Sequence, residues 1–146
     1  MPTWQAPNPD FAAVVTGAVL SMPAARHLGF EFARIAPGET EIVQPFRTEL
    51  TQHNGFFQGG MLGSLADFAA GSAAGTLLQP GWVNMTIDYT VKILAAANGL
   101  RVIARGRVLK PGALITSAAA DVYSVDNEGE TLCATALVTM RNVRLG

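Results

Sequence analysis

The chain has 146 residues, 49% of them apolar and 14% charged, with a formal net charge of −1 and one cysteine. That length accommodates one domain with a real core, the near-neutral charge excludes a basic nucleic-acid footprint, and a lone cysteine excludes an internal disulfide and fits an intracellular setting. So little charge also covers a monomer's surface thinly, so another subunit is expected to cover part of it.

Taken in order, residues 1–9 carry three prolines and read as a loose lead-in. Pro9-Asp10 starts a short helical pattern through Phe11, Val14, Val15, Ala18 and Val19, which Met22-Pro23 ends or kinks. The first basic residue is Arg26 and this apolar run is too short for a bilayer, so a cytoplasmic protein with no membrane or nucleic-acid partner is expected. His27, in a link over 24–29, reads as structural or solvated. Residues 30–35 and 39–46 read as two strands joined by a Pro37-Gly38 turn.

After residues 51–78, discussed below, a breaker cluster at Gln79-Pro80-Gly81 precedes four strand candidates. Residues 82–94 alternate through Val83, Met85, Ile87, Tyr89, Val91 and Ile93, and Asn98-Gly99 is a hairpin turn signal. Residues 100–109, 114–125 and 131–143 follow, separated by Pro111-Gly112 and the turn 126–129. Cys133 lies in an apolar strand and reads as buried rather than nucleophilic. The order is two strands, one long helix and a meander of four strands, an α+β chain with an antiparallel sheet. No repeat interrupts this single domain, 1–146, in which 1–28 form the lead-in and short helix and 57–78 the central helix.

The stretch that organises the rest is TQHNGFFQGGMLGSLADFAAGSAAGTLL, beginning at Thr51. Asn54-Gly55 signals a turn, Gly59-Gly60 permits close backbone approach, and Leu62, Leu65, Ala69 and Ala73 recur at the helical period. At about 100° per residue, Asp67 shares a face with Gly60, Gly63, Ser64, Ala70, Gly71 and Ala74. Small residues permit close packing, but that alone leaves Asp67 unexplained, because an acid in an apolar helix is seldom buried without a partner. A helix that is apolar or small nearly all round is expected to be wrapped by the sheet.

These residues resemble the PaaI-like acyl-CoA thioesterase family of the hotdog-fold superfamily, in which a curved antiparallel sheet wraps one central helix. Gln52, Gly55, Gln58-Gly59-Gly60 and Asp67 stand where that family carries Asn or Gln, Gly, His-Gly-Gly and Asp or Glu. The motif spans residues 52–67, and the element order extends the likeness weakly over nearly the whole chain. Two positions depart from it. Gln58 replaces the usual His and cannot titrate, and Gly71 stands where some relatives carry Ser or Thr, with Ser72 adjacent.

The resemblance implies hydrolysis of an acyl or aroyl thioester, with coenzyme A as part of the substrate and no separate cofactor or metal. Asp67 then serves as general base or nucleophile, and a free amide at the helix start, Gly59 in preference to Gly60, as oxyanion donor. Gln58 shapes the same pocket, and Gln52 holds the water or the carbonyl. Gly60, Asn54, Gly63, Gly71, Phe57 and Trp82 are the candidate substrate-binding residues, with Phe56 beside them. Arg101, Arg105, Arg107, Lys110 and Lys92 are candidates for the coenzyme phosphates, against the plainer reading of solvated strand faces.

Gly59 and Asp67 are roughly 12 Å apart along one helix, too far to share a carbonyl. Two antiparallel helices in a two-fold dimer would pair Asp67 of one copy with Gly59 of the other, and the resemblance implies the same dimer and often a tetramer. Two alternatives stay open: a non-catalytic acyl-CoA binder, fed by the loss of His at 58, and a hotdog dehydratase or hydratase, which would want a histidine where neither His27 nor His53 lies.

Overall fold

A computed structural model describes residues 3–145, so the first two residues of the lead-in, and residue 146, lie outside it. Two short helices, α1 (Phe11–Leu20) and α2 (Pro23–Leu28), precede strands β1 (Glu31–Ala36) and β2 (Glu39–Pro45). The long helix α3 (Gly59–Gly75) follows, and then β3 (Trp82–Ile93), β4 (Arg101–Lys110), β5 (Ile115–Asp126) and β6 (Gly129–Arg144). Met22-Pro23 separates two helices: Pro23 takes the first position of α2, where its missing N–H costs nothing. The expected link over 24–29 is therefore mostly helix, and His27 sits exposed in its last turn.

The six strands form one antiparallel sheet in the order β1-β2-β4-β5-β6-β3. With α3 packed on it, this is the hotdog arrangement. One expectation fails: the last four strands are not a meander. Only β4, β5 and β6 run as one, while β3 crosses to the far edge and pairs with β6. Asn98-Gly99 misled because glycine is needed there for contact rather than for a hairpin. A Cβ at Gly99 would lie 2.4 Å from the Val125 carbonyl oxygen, and the Gly99 N–H donates to Ser124 Oγ at 2.8 Å.

The core is built from small residues on both sides. Leu62, Leu65, Ala66, Ala69 and Ala73 of α3 are buried against a sheet face carrying Ala104, Ala118, Ala120, Ala134 and Ala136. Such a pairing brings helix and sheet unusually close. At Gly106 of β4 an added Cβ would stand 2.2 Å from the Ala69 carbonyl oxygen. That same oxygen accepts a hydrogen bond from the buried Thr40 hydroxyl at 2.6 Å, so the helix is anchored where it comes nearest.

A bulge between Thr86 and Asp88 divides β3. Tyr89 and Val91 pack against Gly63 of α3, and Ile93 against Gly59. Before the bulge, Asn84 and Thr86 face the helix, whereas Met85 and Ile87 are 55% and 57% exposed. The apolar face expected through Val83, Met85 and Ile87 is thus not the helix-facing one, because one inserted residue reverses the alternation.

Candidate active site

Gln58 caps α3. Its side-chain oxygen accepts from Met61 N–H at 3.1 Å, the capping geometry that satisfies a first-turn amide. A Cβ at Gly60 would stand 2.7 Å from that oxygen, so the glycine at 60 makes room for the cap. Among the described residues, no hydrogen bond uses the N–H of Gly59 or Gly60, and helix geometry leaves such first-turn donors open. The preceding turn fixes itself: Gly55 has φ +82°, its N–H donates to the Gln52 carbonyl at 3.0 Å, and the Gln52 side-chain oxygen accepts from Asn54 N–H.

Asp67 lies half-buried in the middle of α3. Thr86 Oγ1 donates to its Oδ1 at 2.7 Å, and Met140 Sδ lies 3.3 Å from the same hydroxyl. None of the ion pairs among the described residues includes Asp67. Burial pushes its carboxyl above the ordinary aspartate range, and the Thr86 hydroxyl holds part of that rise back. A carboxylate without a cation and with a raised pKa is a stronger base than an ordinary aspartate.

Thr86 is the site residue that sequence reasoning missed. The alternation through Val83, Met85 and Ile87 leaves Thr86 on the opposite face, which the bulge makes the inner one before Asp88. It supplies the hydroxyl that Gly71 cannot. Ser72 does not, since its hydroxyl donates to the Phe68 carbonyl at 2.6 Å and lies near Thr40 Oγ1. Gly71 instead makes room for Met140, whose Cε would stand 3.2 Å from an added Cβ.

The predicted residues fall into two separate depressions. Asp67, Gly71 and Trp82 line a cavity of about 420 Å³ between α1, α3 and β3. Gln52, Phe57 and Gly59 line a second one with Phe56, Leu62 and Ile93. Gln58, Gly60, Asn54 and Gly63 line neither, Gly63 being covered by Tyr89 and Val91. Phe57 is 3% exposed and packs edge-on against Phe46 at 5.7 Å. The two halves of the expected machinery thus stand apart within one chain.

Among the phosphate candidates, Arg105 pairs with Glu41 at 2.9 Å and Glu130 at 2.7 Å, and Arg107 pairs with Asp121 at 3.1 Å. Arg101, Lys92 and Lys110 are exposed and form no ion pair among the described residues. Cys133 is buried, its thiol donating to the Val122 carbonyl at 3.2 Å. No group of three metal-capable side chains occurs among the described residues, and no described helix is long and apolar enough to cross a membrane.

No protein-family model and no curated protein matches the sequence. Solved structures do. A thioesterase family protein from Silicibacter pomeroyi is 30% identical, with a TM-score of 0.89 over 92% of this chain and 98% of its own. A thioesterase from Haemophilus influenzae is 23% identical (TM-score 0.79), covering 88% of this chain and 87% of its own. A phenylacetic acid degradation-related protein from Ralstonia eutropha is 24% identical (TM-score 0.76), covering 90% and 98%. The last two share the fold, and the first carries the relationship in sequence as well. At 30% identity over nearly the whole of both chains, the protein belongs to the thioesterase family on the hotdog fold, and its motif at 52–67 resembles the PaaI-like members.

Proposed function

We propose that the protein hydrolyses acyl or aroyl thioesters of coenzyme A to the free acid and CoA, at sites shared between two copies. The observation that carries this reading is the state of Asp67, which is half-buried, bound by one neutral hydroxyl, raised in pKa and placed beside an apolar cavity. As a base, Asp67 takes a proton from the water that attacks the thioester carbonyl, and the C–S bond then breaks to release the thiol. As a nucleophile, it attacks the carbonyl itself, the C–S bond breaks to release the thiolate of coenzyme A, and water then cleaves the resulting anhydride. The open amide of Gly59, from the other copy, binds the developing oxyanion, with Gln58 and Gln52 around it.

The 12-residue β3 supports the dimer: it is an edge strand running beside the face that carries Asp67, Gly63 and Gly59. Long bare edges are templates for pairing, and two β3 strands joined about a two-fold axis would set the α3 helices antiparallel. A tetramer of two such dimers belongs to the same proposal. Arg101, Lys92 and Lys110 are the cations left for the coenzyme phosphates.

A second reading, an acyl-CoA binder without turnover, draws on Gln58, whose side-chain oxygen is occupied by the helix cap. Thiol release from a panel of acyl- and aroyl-CoAs separates the two: turnover supports the hydrolase, and saturable binding without thiol supports the binder. A hydratase is less favoured, since His27 and His53 line neither depression.

A further inference from the structure

We propose that the cavity beside Asp67 is an acyl-chain pocket roofed by α1, and that it selects medium-length acyl groups with an uncharged hydrocarbon or aryl tail. The placement of the thioester at Asp67 rests on the hydrolase reading above. The tail preference follows from the cavity itself.

The roof is the α1 face carrying Phe11, Val14 and Ala18, and Phe68 of α3 and Trp82 of β3 stand opposite. α1 sits tightly against the end of α3, with Val15 Cγ2 only 3.4 Å from where a Cβ on Gly75 would be. Val14 lines the cavity yet is 51% exposed, so an apolar occupant would remove it from water.

Three of the neutral polar side chains in the wall already donate within the protein, and Asn8 and Gln79 add only uncharged amides. Thr86 donates to Asp67, Asn84 Nδ2 donates to the Gly71 carbonyl at 3.1 Å, and the Ser72 hydroxyl donates to the Phe68 carbonyl. Among the described residues, Asp67 is the only charged side chain in the lining. A tail ending in a carboxylate would therefore lose its water without gaining a cation. At about 420 Å³ the space is of the size that holds compact organic ligands, and an acetyl group would leave most of it unfilled.

The test combines turnover with direct binding. For straight-chain CoA thioesters, kcat/KM should rise by about four-fold per methylene until the cavity is full. Succinyl-CoA should be at least about ten-fold poorer than butyryl-CoA, its uncharged counterpart of equal length. Ala18→Trp, which fills the cavity from the exposed side of α1, should lower the decanoyl-to-butyryl ratio by about ten-fold or more, and Phe11→Ala should raise it. In parallel, calorimetry with free decanoate and butyrate reads tail binding without hydrolysis. A wild type that releases no thiol from any thioester would defeat the hydrolase reading alone. Decanoate binding that exceeds butyrate binding and is lost in Ala18→Trp would still uphold the pocket. Length-independent binding, or ratios that neither variant moves, would overturn it.

Discussion

The hydroxyl of Thr86 donates to Oδ1 of Asp67 across 2.7 Å, tying the edge strand to the middle of the central helix. This bond favours the ionised acid and opposes the effect of burial. Replacing Thr86 with valine removes it at nearly constant shape. The acid limb of the pH–rate profile should then move to higher pH, because the base must be ionised and its pKa rises further. A hydrogen bond to a charged group is worth about 1.5–3 kcal/mol, so turnover should fall by roughly ten-fold or more on the acid limb itself and by less above it. Thr86→Ser should restore most of both. A pH–rate profile of the three proteins checks this.

Asp67→Asn should lower kcat by about 10²–10⁴-fold, the range for loss of a positioned base. Stability should move the other way or not at all. A carboxyl whose folded pKa is raised burdens the native state above that pKa, and the burden is relieved as pH falls through it. The variant's Tm at neutral pH should therefore equal or exceed that of the wild type, with any gap closing as the pH is lowered. Thermal melts across pH read this directly.

The Gly106 contact predicts a purely structural lesion. Its missing Cβ would stand 2.2 Å from the Ala69 carbonyl oxygen, which belongs to backbone and cannot swing aside. Gly106→Ala should cost at least about 2 kcal/mol in denaturant unfolding, the scale of overpacking. The alanine at the exposed turn Gly55, which has open space but φ +82°, should cost less, about 1 kcal/mol.

Arg105 is engaged by Glu41 and Glu130 at 39% side-chain exposure. Its ion pairs are therefore worth no more than about 1 kcal/mol. Arg105→Ala should leave KM for acyl-CoA within about two-fold of the wild type, since a cation already paired has little left for phosphate. A rise well beyond that, with stability unchanged, would return Arg105 to the substrate.

How much of this was legible in the sequence depended on whether local pattern and tertiary demand agreed. For α3 they did: Leu62, Leu65, Ala69 and Ala73 repeat at the helical period, and those same residues are buried. Asp67 was legible because a lone acid on a small-residue face has no packing explanation. They disagreed along β3. Asn98-Gly99 carried a hairpin signal, but Gly99 is there to admit the Val125 carbonyl. The bulge after Thr86 then reversed the faces, which hid the hydroxyl partner of Asp67. No local pattern records where a strand crosses a sheet, so neither the order β6-β3 nor the role of Thr86 was visible.

The central claim, a site completed by two copies, is tested most directly by mixing two defective proteins. Asp67→Asn lacks the acid. Gly59→Pro lacks the amide, and the geometry suits it, because Gly59 is the first residue of α3 and Gln58 before it has ψ 139°, the extended conformation that proline requires of its predecessor. After the subunits are exchanged at equal amounts, half of the dimers are mixed and each mixed dimer holds one intact site, so thiol release should recover to about a quarter of the wild-type rate. Mixtures that stay as inactive as their two components, with exchange verified by mass, would contradict the shared site.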